Sequence, residues 1–167
     1  MEVTVDQVRT LRDQTGAGIM DCKRALVESQ GDMKKAEEAL RVKGFAQAAS
    51  RADRATNQGL VEAYVHTGGR VGAMVELACE TDFVSRTPEF KALAHDIAMQ
   101  VAAMAPAYLD ENDMDDGDER PVAQMSLLQQ PFIKDNSSSV GEIVQEMAAK
   151  MGENVRVLRF ARLALGE

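Results

Sequence analysis

The spacing of apolar residues changes from helical to alternating near the start of the second third of the chain, and this change constrains the fold most strongly. In residues 1–58 apolar side chains recur three or four positions apart between glycines, which predicts short helices. Residues 59–79 alternate apolar and polar side chains around a Thr67-Gly68-Gly69 turn, which predicts a β-hairpin. We therefore predict an α+β fold with a small antiparallel sheet packed against helices.

Residues 1–45 are predicted to form a module of three short helices. Thr4 and Gln7 fit a capping box at the start of the first helix. The Gly16-Ala17-Gly18 turn separates the first two helices, and Asp32 is a favourable N-cap for the third. Three helices in about 40 residues make a module near the lower size limit for an adequate hydrophobic core.

The rest of the chain divides into a connector and a core. Residues 46–58 are rich in alanine and polar residues and are predicted to form a separate connecting helix, since Gly44 should end the third helix. Residues 59–167 are predicted to form the α+β core domain. Within that core, Thr87 and Pro88 are typical of the start of a long helix.

The register of the hairpin depends on the length of its loop. A three-residue loop at Thr67-Gly68-Gly69 pairs Val65 with Val71 and gathers the small apolar residues of both strands on one face. A two-residue loop would place Val65 opposite Gly72 and mix the two faces. We therefore expect the three-residue loop, with a core-facing surface made of Val61, Ala63, Val65, Val71, Ala73 and Val75.

One acidic segment, residues 110–119, carries most of the net charge of −8. It holds seven acidic residues and no basic one, so the remainder has 19 basic and 20 acidic side chains. Binding to phosphate backbones requires an excess of basic side chains, which these numbers do not provide. No direct nucleic-acid partner is therefore predicted. In a calcium loop centred on Gly117, Met114 and Ala123 would occupy ligand positions. The segment is interpreted instead as a solvated, disordered acidic loop.

Enzymatic and membrane functions find little support in the residues. The two histidines, His66 and His95, are the only side chains with an ordinary pKa near neutrality, and a pair between His66 and Cys79 would span roughly 30 Å of extended strand. There is no Walker-type phosphate loop. No apolar run could cross a membrane or act as a signal peptide, so we predict a cytoplasmic protein with reduced cysteines and no cofactor or metal.

The segment Thr81-Asp82-Phe83-Val84 is unusual for a purely structural role. It follows directly on the end of a predicted strand and places a large aromatic residue in a short polar turn. Phe83 could either return into the core or remain exposed as an anchor for a partner, and periodicity does not distinguish these alternatives.

Two stretches of the sequence resemble the elongation factor Ts family, whose members are guanine-nucleotide exchange factors. They are residues 11–26, LRDQTGAGIMDCKRAL, and residues 75–84, VELACETDFV. Further matches are QPFIKD at residues 130–135 and GEN at residues 152–154. The resemblance therefore extends over both ends and the middle of the chain.

The resemblance implies a partner, a mechanism and a set of site residues. The partner is elongation factor Tu, and an N-terminal module like the ubiquitin-associated domain docks on its nucleotide domain through the positions of Arg12, Ile19 and Met20. The positions of Thr81, Asp82, Phe83 and Val84 disturb the magnesium and nucleotide site of the partner, so that GDP leaves and GTP can bind. No covalent chemistry is implied, so the protein is predicted not to be an enzyme.

This chain departs from the longer members of that family in one respect. Those members have two core subdomains and a protruding helical hairpin, whereas residues 106–124 of this chain hold only the acidic loop. A single core subdomain should leave apolar surface uncovered, so a homodimer is predicted. Two other functions stay open on the sequence: a helical adaptor that binds through its first module, and an enzyme with an unfamiliar site.

Overall fold

The computed structural model describes residues 3–167, which form an α+β fold as predicted. Its elements are α1 (Val5–Thr15), α2 (Ile19–Glu28), α3 (Met33–Ala49), β1 (Gln58–Val65), β2 (Val71–Cys79), α4 (Asp82–Ser85), α5 (Pro88–Met104), α6 (Val122–Met125), β3 (Pro131–Phe132), β4 (Asp135–Ser139), α7 (Val140–Met151) and β5 (Val155–Ala164).

The first three helices form the predicted N-terminal module around their own hydrophobic cluster. The Thr4–Gln7 capping box is present at α1, and Asp32 caps α3 by accepting a hydrogen bond from the backbone of Lys35. Gly16 ends α1 in the left-handed conformation at φ +68°, which a glycine adopts without strain. The cluster consists of Leu11, Cys22, Ala25, Leu26, Ala36 and Leu40.

The prediction of a separate connecting helix is wrong, because α3 continues through Gly44 to Ala49. A methyl group on Gly44 would lie 3.0 Å from the Cβ atom of Ala149, so the glycine permits close packing of α3 against α7. A glycine inside a helix costs only about 1 kcal/mol, which this packing offsets. Ala48, near the end of α3, belongs to the hydrophobic core of the sheet, and residues 50–54 form turns.

The main sheet is antiparallel in the order β1-β2-β5, and its hairpin register differs from the predicted one. Val65 lies opposite Gly72, as the rejected alternative required. The loop is closed by the backbone N–H of His66, which donates to the carbonyl of Val71, and by the N–H of Gly69, which donates to His66. Gly68 and Gly69 both have positive φ in this turn.

The observed register buries the larger side chains of β1 in place of its valines. Leu60 and Tyr64 pack against the core, and the carboxylate of Glu62 lies 2.9 Å from the Nδ1 atom of His95 on α5. The small apolar residues that were predicted to face the core therefore face outward from β1. Val61 and Val65 are both exposed, as is Met74 on β2.

Helix α5 packs on the inner face of the sheet and supplies more buried residues to the core than any other element. Thr87 caps the helix and Pro88 is its first residue, as predicted. Phe90, Ile97 and Val101 are completely buried there. The carboxamide of Gln100, also buried, donates to Gln130 and to the Pro131 carbonyl, and thereby holds the β3 segment against α5.

The acidic segment is more ordered than predicted. Residues Glu111–Asp113 form a turn of 3₁₀ helix, and the hydroxyl of Tyr108 lies within hydrogen-bond distance of the carboxylates of Asp115 and Asp118, to which its single hydrogen can donate. The side chain of Arg120 pairs with Asp118 and lowers the pKa of that carboxyl. The segment nevertheless lies at the surface, outside both hydrophobic clusters.

Candidate partner-binding site

Phe83 lies on the outside of the molecule, in the short helix α4 directly after β2. Its side chain is 80% exposed, so Phe83 does not return into the core, which was one of the two alternatives that the sequence left open. Phenylalanine is among the residues most often fully buried, and aromatic side chains contribute strongly to interfaces. Phe83 is therefore a candidate anchor for a partner.

The residues on either side of Phe83 hold α4 to the core. Val84 is buried in the main hydrophobic cluster, and the hydroxyl of Ser85 donates to the carbonyl of Asp82 at 3.0 Å. The hydroxyl of Thr87 donates to the carbonyl of Val84 at 2.8 Å and so joins α4 to the start of α5. Phe83 is thus an exposed side chain on a short, anchored backbone.

Asp82 lies at the first position of α4 and is half-exposed. Its carboxylate is 2.8 Å from the guanidinium of Arg86, one helical turn further on. An ion pair between exposed groups contributes at most about 1 kcal/mol, so Asp82 can exchange Arg86 for hydrogen-bond donors of a partner at little cost.

Thr81 precedes α4 and is bound to the segment between α7 and β5. The Glu153 carboxylate accepts hydrogen bonds from the Thr81 backbone N–H at 3.0 Å and from its hydroxyl at 2.5 Å. The thiol of Cys79 donates to the Thr81 carbonyl at 3.1 Å. Burial, together with the nearby charge of Glu153, raises the pKa of the Cys79 thiol.

The three residues predicted to dock on the partner are all exposed on the N-terminal module. Arg12 lies on α1, and Ile19 and Met20 form the first turn of α2. The left-handed turn at Gly16 ends α1 and connects it to α2. Ile19 and Met20 are adjacent and exposed, so they present apolar surface at the start of α2, and Arg12 is an exposed cation on the neighbouring helix.

The predicted residues therefore fall into two groups on different units of the fold. Thr81, Asp82, Phe83 and Val84 belong to the unit built on the sheet, whereas Arg12, Ile19 and Met20 belong to the N-terminal module. No hydrogen bond or ion pair within the described chain joins the two groups directly.

Glu153 and Asn154 are contacts of the site that sequence reasoning did not single out. The GEN stretch appeared only as a match to a family, and no periodic pattern connects residue 153 with residue 81. Their hydrogen bonds join segments more than seventy positions apart, which spacing along the chain cannot reveal.

A separate cleft of about 470 Å³ lies between the N-terminal module and α7. Arg51, Lys150 and Glu146 are among the residues that line it, and burial raises the pKa of the Glu146 carboxyl. None of the seven predicted site residues lines this cleft.

Within residues 3–167, no cluster of three or more histidine, cysteine or acidic side chains has the geometry of a metal site. No helix in that same range combines the length and the apolar character needed to span a bilayer.

The fold and the exposed side chains define a class of protein, a small α+β protein that exposes an aromatic side chain on its sheet unit and two adjacent apolar side chains on its helical unit. The family model described as "Elongation factor TS" matches residues 8–118. The chain belongs to the elongation factor Ts family, and it is a translation elongation factor.

Curated relatives support this assignment along almost the whole chain. The chain is 44% identical to elongation factor Ts of Syntrophomonas wolfei, with 99% of the chain and 91% of that relative aligned. It is 43% identical to elongation factor Ts of Thermotoga neapolitana, over 100% of the chain and 99% of the relative. The match to the protein of Thermosynechococcus vestitus is 43% identical and covers 99% of the chain but 66% of that longer relative.

Proposed function

We propose that this protein binds elongation factor Tu in its GDP-bound state and accelerates the release of GDP, so that GTP can bind. The observation that carries the proposal is the exposure of Phe83 on an anchored backbone, within the TDFV stretch on which the family resemblance rests. The reaction needs no covalent step, so the protein acts as an exchange factor and not as an enzyme.

In this proposal, the TDFV segment acts on the magnesium and nucleotide site of the partner. Phe83 inserts between elements of the nucleotide domain and displaces the segment that supports the magnesium ion. Asp82 then accepts hydrogen bonds from the displaced backbone in place of its bond to Arg86. Thr81 and Val84 hold the two ends of the inserted turn, since each is fixed to the core of this protein.

The N-terminal module supplies most of the docking energy in the same proposal. Ile19 and Met20 pack on an apolar part of the nucleotide domain, and Arg12 pairs with an acidic or carbonyl group beside it. Burial of one large apolar side chain contributes roughly 1.5–3 kcal/mol, so Ile19 and Met20 can account for much of a transient complex. The module is of the ubiquitin-associated type, and its division from the core corresponds to the two hydrophobic clusters.

Exchange requires that binding of this protein to elongation factor Tu lowers the affinity of elongation factor Tu for GDP. If Phe83 can insert fully only when the magnesium site is distorted, the protein binds the nucleotide-free partner more tightly than the GDP-bound partner. Thermodynamic linkage then requires that GDP binding be weakened by the same factor.

We also propose that the protein is a homodimer in the cytoplasm, formed through the outer face of the sheet. Val65 is 66% and Leu163 is 81% exposed, and both project from the face of the sheet opposite α5. Gly72 lies between them in the sheet, and Met74 and a Glu76–Arg159 ion pair, with 2.6 Å between nitrogen and oxygen, follow along the same face. A contiguous apolar face with paired charges can pack against a second copy of itself about a two-fold axis.

The experiment that tests the exchange function is release of labelled GDP from elongation factor Tu. A substoichiometric amount of this protein should accelerate release of all the labelled GDP from elongation factor Tu in the presence of excess unlabelled GDP. An adaptor without exchange activity would bind elongation factor Tu and leave the release rate unchanged, and this outcome would refute the proposal.

A further inference from the structure

We propose that Glu153 is a positioning residue for nucleotide exchange, which holds the base of the TDFV segment through Thr81, with Asn154 tying the same base to the linker of the N-terminal module. The inference rests on the proposed exchange function and adds two residues that act on the site without contacting the partner. It follows from three features of the hydrogen bonds around α4.

The first feature is the unusual use of Thr81. A threonine before a helix ordinarily caps it, because its hydroxyl oxygen accepts a bond from a free N–H of the first turn. Thr81 occupies the N-cap position of α4, yet its side chain makes no capping bond. Its hydroxyl donates instead to Glu153, and its backbone N–H donates to the other oxygen of the same carboxylate. Thr81 therefore fixes α4 to the rest of the fold at the expense of local capping.

The second feature is that Phe83 can gain little positional order from its own contacts. Its side chain is mostly in solvent, and α4 is only four residues long. An isolated turn of this length is not stable in water. The direction of Phe83 therefore depends on how the two ends of the turn are fixed, by Val84 in the core at one end and by Glu153 at the other.

The third feature is a second set of bonds from the neighbouring residue. Asn154 is 5% exposed, and its backbone N–H donates to the Glu80 carboxylate at 2.6 Å. Its carboxamide donates to the carbonyls of Ala52 and Arg54 at 2.9 and 2.8 Å. The guanidinium of Arg54 lies 3.5 Å from Glu80 as well.

These bonds bring three distant parts of the chain together at one point. They are the linker after α3, the end of β2 with the TDFV segment, and the connection from α7 to β5. The linker leads back to the docking module, so the two surfaces proposed to contact the partner share one hydrogen-bonded base. Hydrogen bonds to a charged carboxylate are stronger than those between neutral groups. They can therefore hold the TDFV segment in place while Phe83 inserts into the partner.

The test measures exchange as a function of the concentration of this protein, so that the maximal rate and the half-saturating concentration are obtained separately. Glu153→Ala removes both hydrogen bonds to Thr81 and should lower the maximal rate of GDP release at least about tenfold, the factor expected for loss of a single hydrogen bond to a charged group. The half-saturating concentration should stay within about twofold, because Ile19 and Met20 still dock. Glu38→Ala is the matched control, since that carboxylate also accepts two hydrogen bonds, from Arg41 on α3.

Variants of Thr81 separate positioning from a general loss of stability. Thr81→Ser keeps the hydroxyl and should exchange at nearly the wild-type rate, whereas the isosteric Thr81→Val loses the hydroxyl bond to Glu153 and should be slower than wild type, though no slower than Glu153→Ala, because its backbone N–H bond remains. The double variant Glu153→Ala, Thr81→Val should be no slower than Glu153→Ala alone, because that single variant already removes both bonds. If Glu153→Ala is unfolded at the assay temperature, the maximal exchange rates of Thr81→Ser and Thr81→Val are sufficient to test the inference.

Two results would overturn the inference, and both differ from failure of the proposed function. Maximal rates equal to wild type for the Thr81→Val and Glu153→Ala variants would show that the bond does not position the segment. Equal amide hydrogen exchange of residues 81–85 in wild type and in Thr81→Val, measured on the isolated protein, would show the same without any partner. If the wild-type protein releases no GDP but the hydrogen exchange of these residues rises in the variants, the exchange function is wrong and the anchoring is right.

Discussion

Replacement of Phe83 by alanine is the perturbation that the structure makes most informative. The side chain is 80% exposed in the free protein, so its removal opens no cavity and exposes no buried surface. Surface substitutions of this kind change the free energy of unfolding by no more than about 0.5 kcal/mol. The melting temperature of Phe83→Ala should therefore equal that of wild type within a few degrees.

The same substitution should have a large effect on exchange. If insertion into the partner buries the phenyl ring, the lost free energy is roughly 1.5–3 kcal/mol, and each 1.4 kcal/mol corresponds to about tenfold in rate. Stimulated GDP release should be about ten- to a hundredfold slower at saturating concentrations of the variant. Docking through the N-terminal module should persist, so the complex should still form.

Phe90→Ala is the matched control, since the same change of residue is made seven positions further on. Phe90 is completely buried, and truncating a buried phenylalanine costs about 3–5 kcal/mol. This variant should melt at a much lower temperature, and any loss of exchange should follow the loss of folded protein. A Phe83→Ala protein that melts normally and exchanges at the wild-type rate would refute the assignment of Phe83 as the inserted residue.

Three further predictions concern the fold and the assembly. Leu163→Lys should convert a dimer into a monomer, and light scattering of the wild-type protein that gave only an 18.2 kDa species at micromolar concentration would contradict the proposed dimer. Replacement of residues 110–119 by a short Gly/Ser linker should change stability by less than about 1 kcal/mol in denaturant titration, since most hydrogen bonds of this loop are exposed; loss of cooperative unfolding would show that it supports the core. Gly59→Ala should destabilise the protein by several kcal/mol, because φ is +149° and the new methyl group would lie 2.2 Å from the Leu77 carbonyl oxygen; an unchanged midpoint in the same titration would refute this.

Local signals in the sequence predicted much of the fold. The capping box at Thr4 and the Thr87-Pro88 pair lie where the corresponding helices begin, because capping depends only on residues within one helical turn. The family resemblance located the TDFV segment, and the structure then decided that Phe83 is exposed. That decision depends on the tertiary environment, which periodicity does not contain.

The predictions of the hairpin register and of the end of the third helix were wrong because contacts with residues distant in sequence determine both features. A three-residue hairpin loop gathers valines on one face, but α5 packs on Leu60 and Tyr64 and provides His95 as a partner for Glu62. Gly44 is typical of a helix end, but in the fold its lack of a side chain permits close contact between α3 and α7. In each case a partner from another part of the chain overrode the local preference.

The central claim, that binding of this protein opposes nucleotide binding, is tested most directly by four dissociation constants. Two are for this protein with GDP-bound and with nucleotide-free elongation factor Tu, and two are for GDP with elongation factor Tu alone and in the complex. The protein should bind the nucleotide-free form more tightly, and GDP should be weakened by the same factor. Equal affinity for the GDP-bound and nucleotide-free forms would contradict the proposed exchange function.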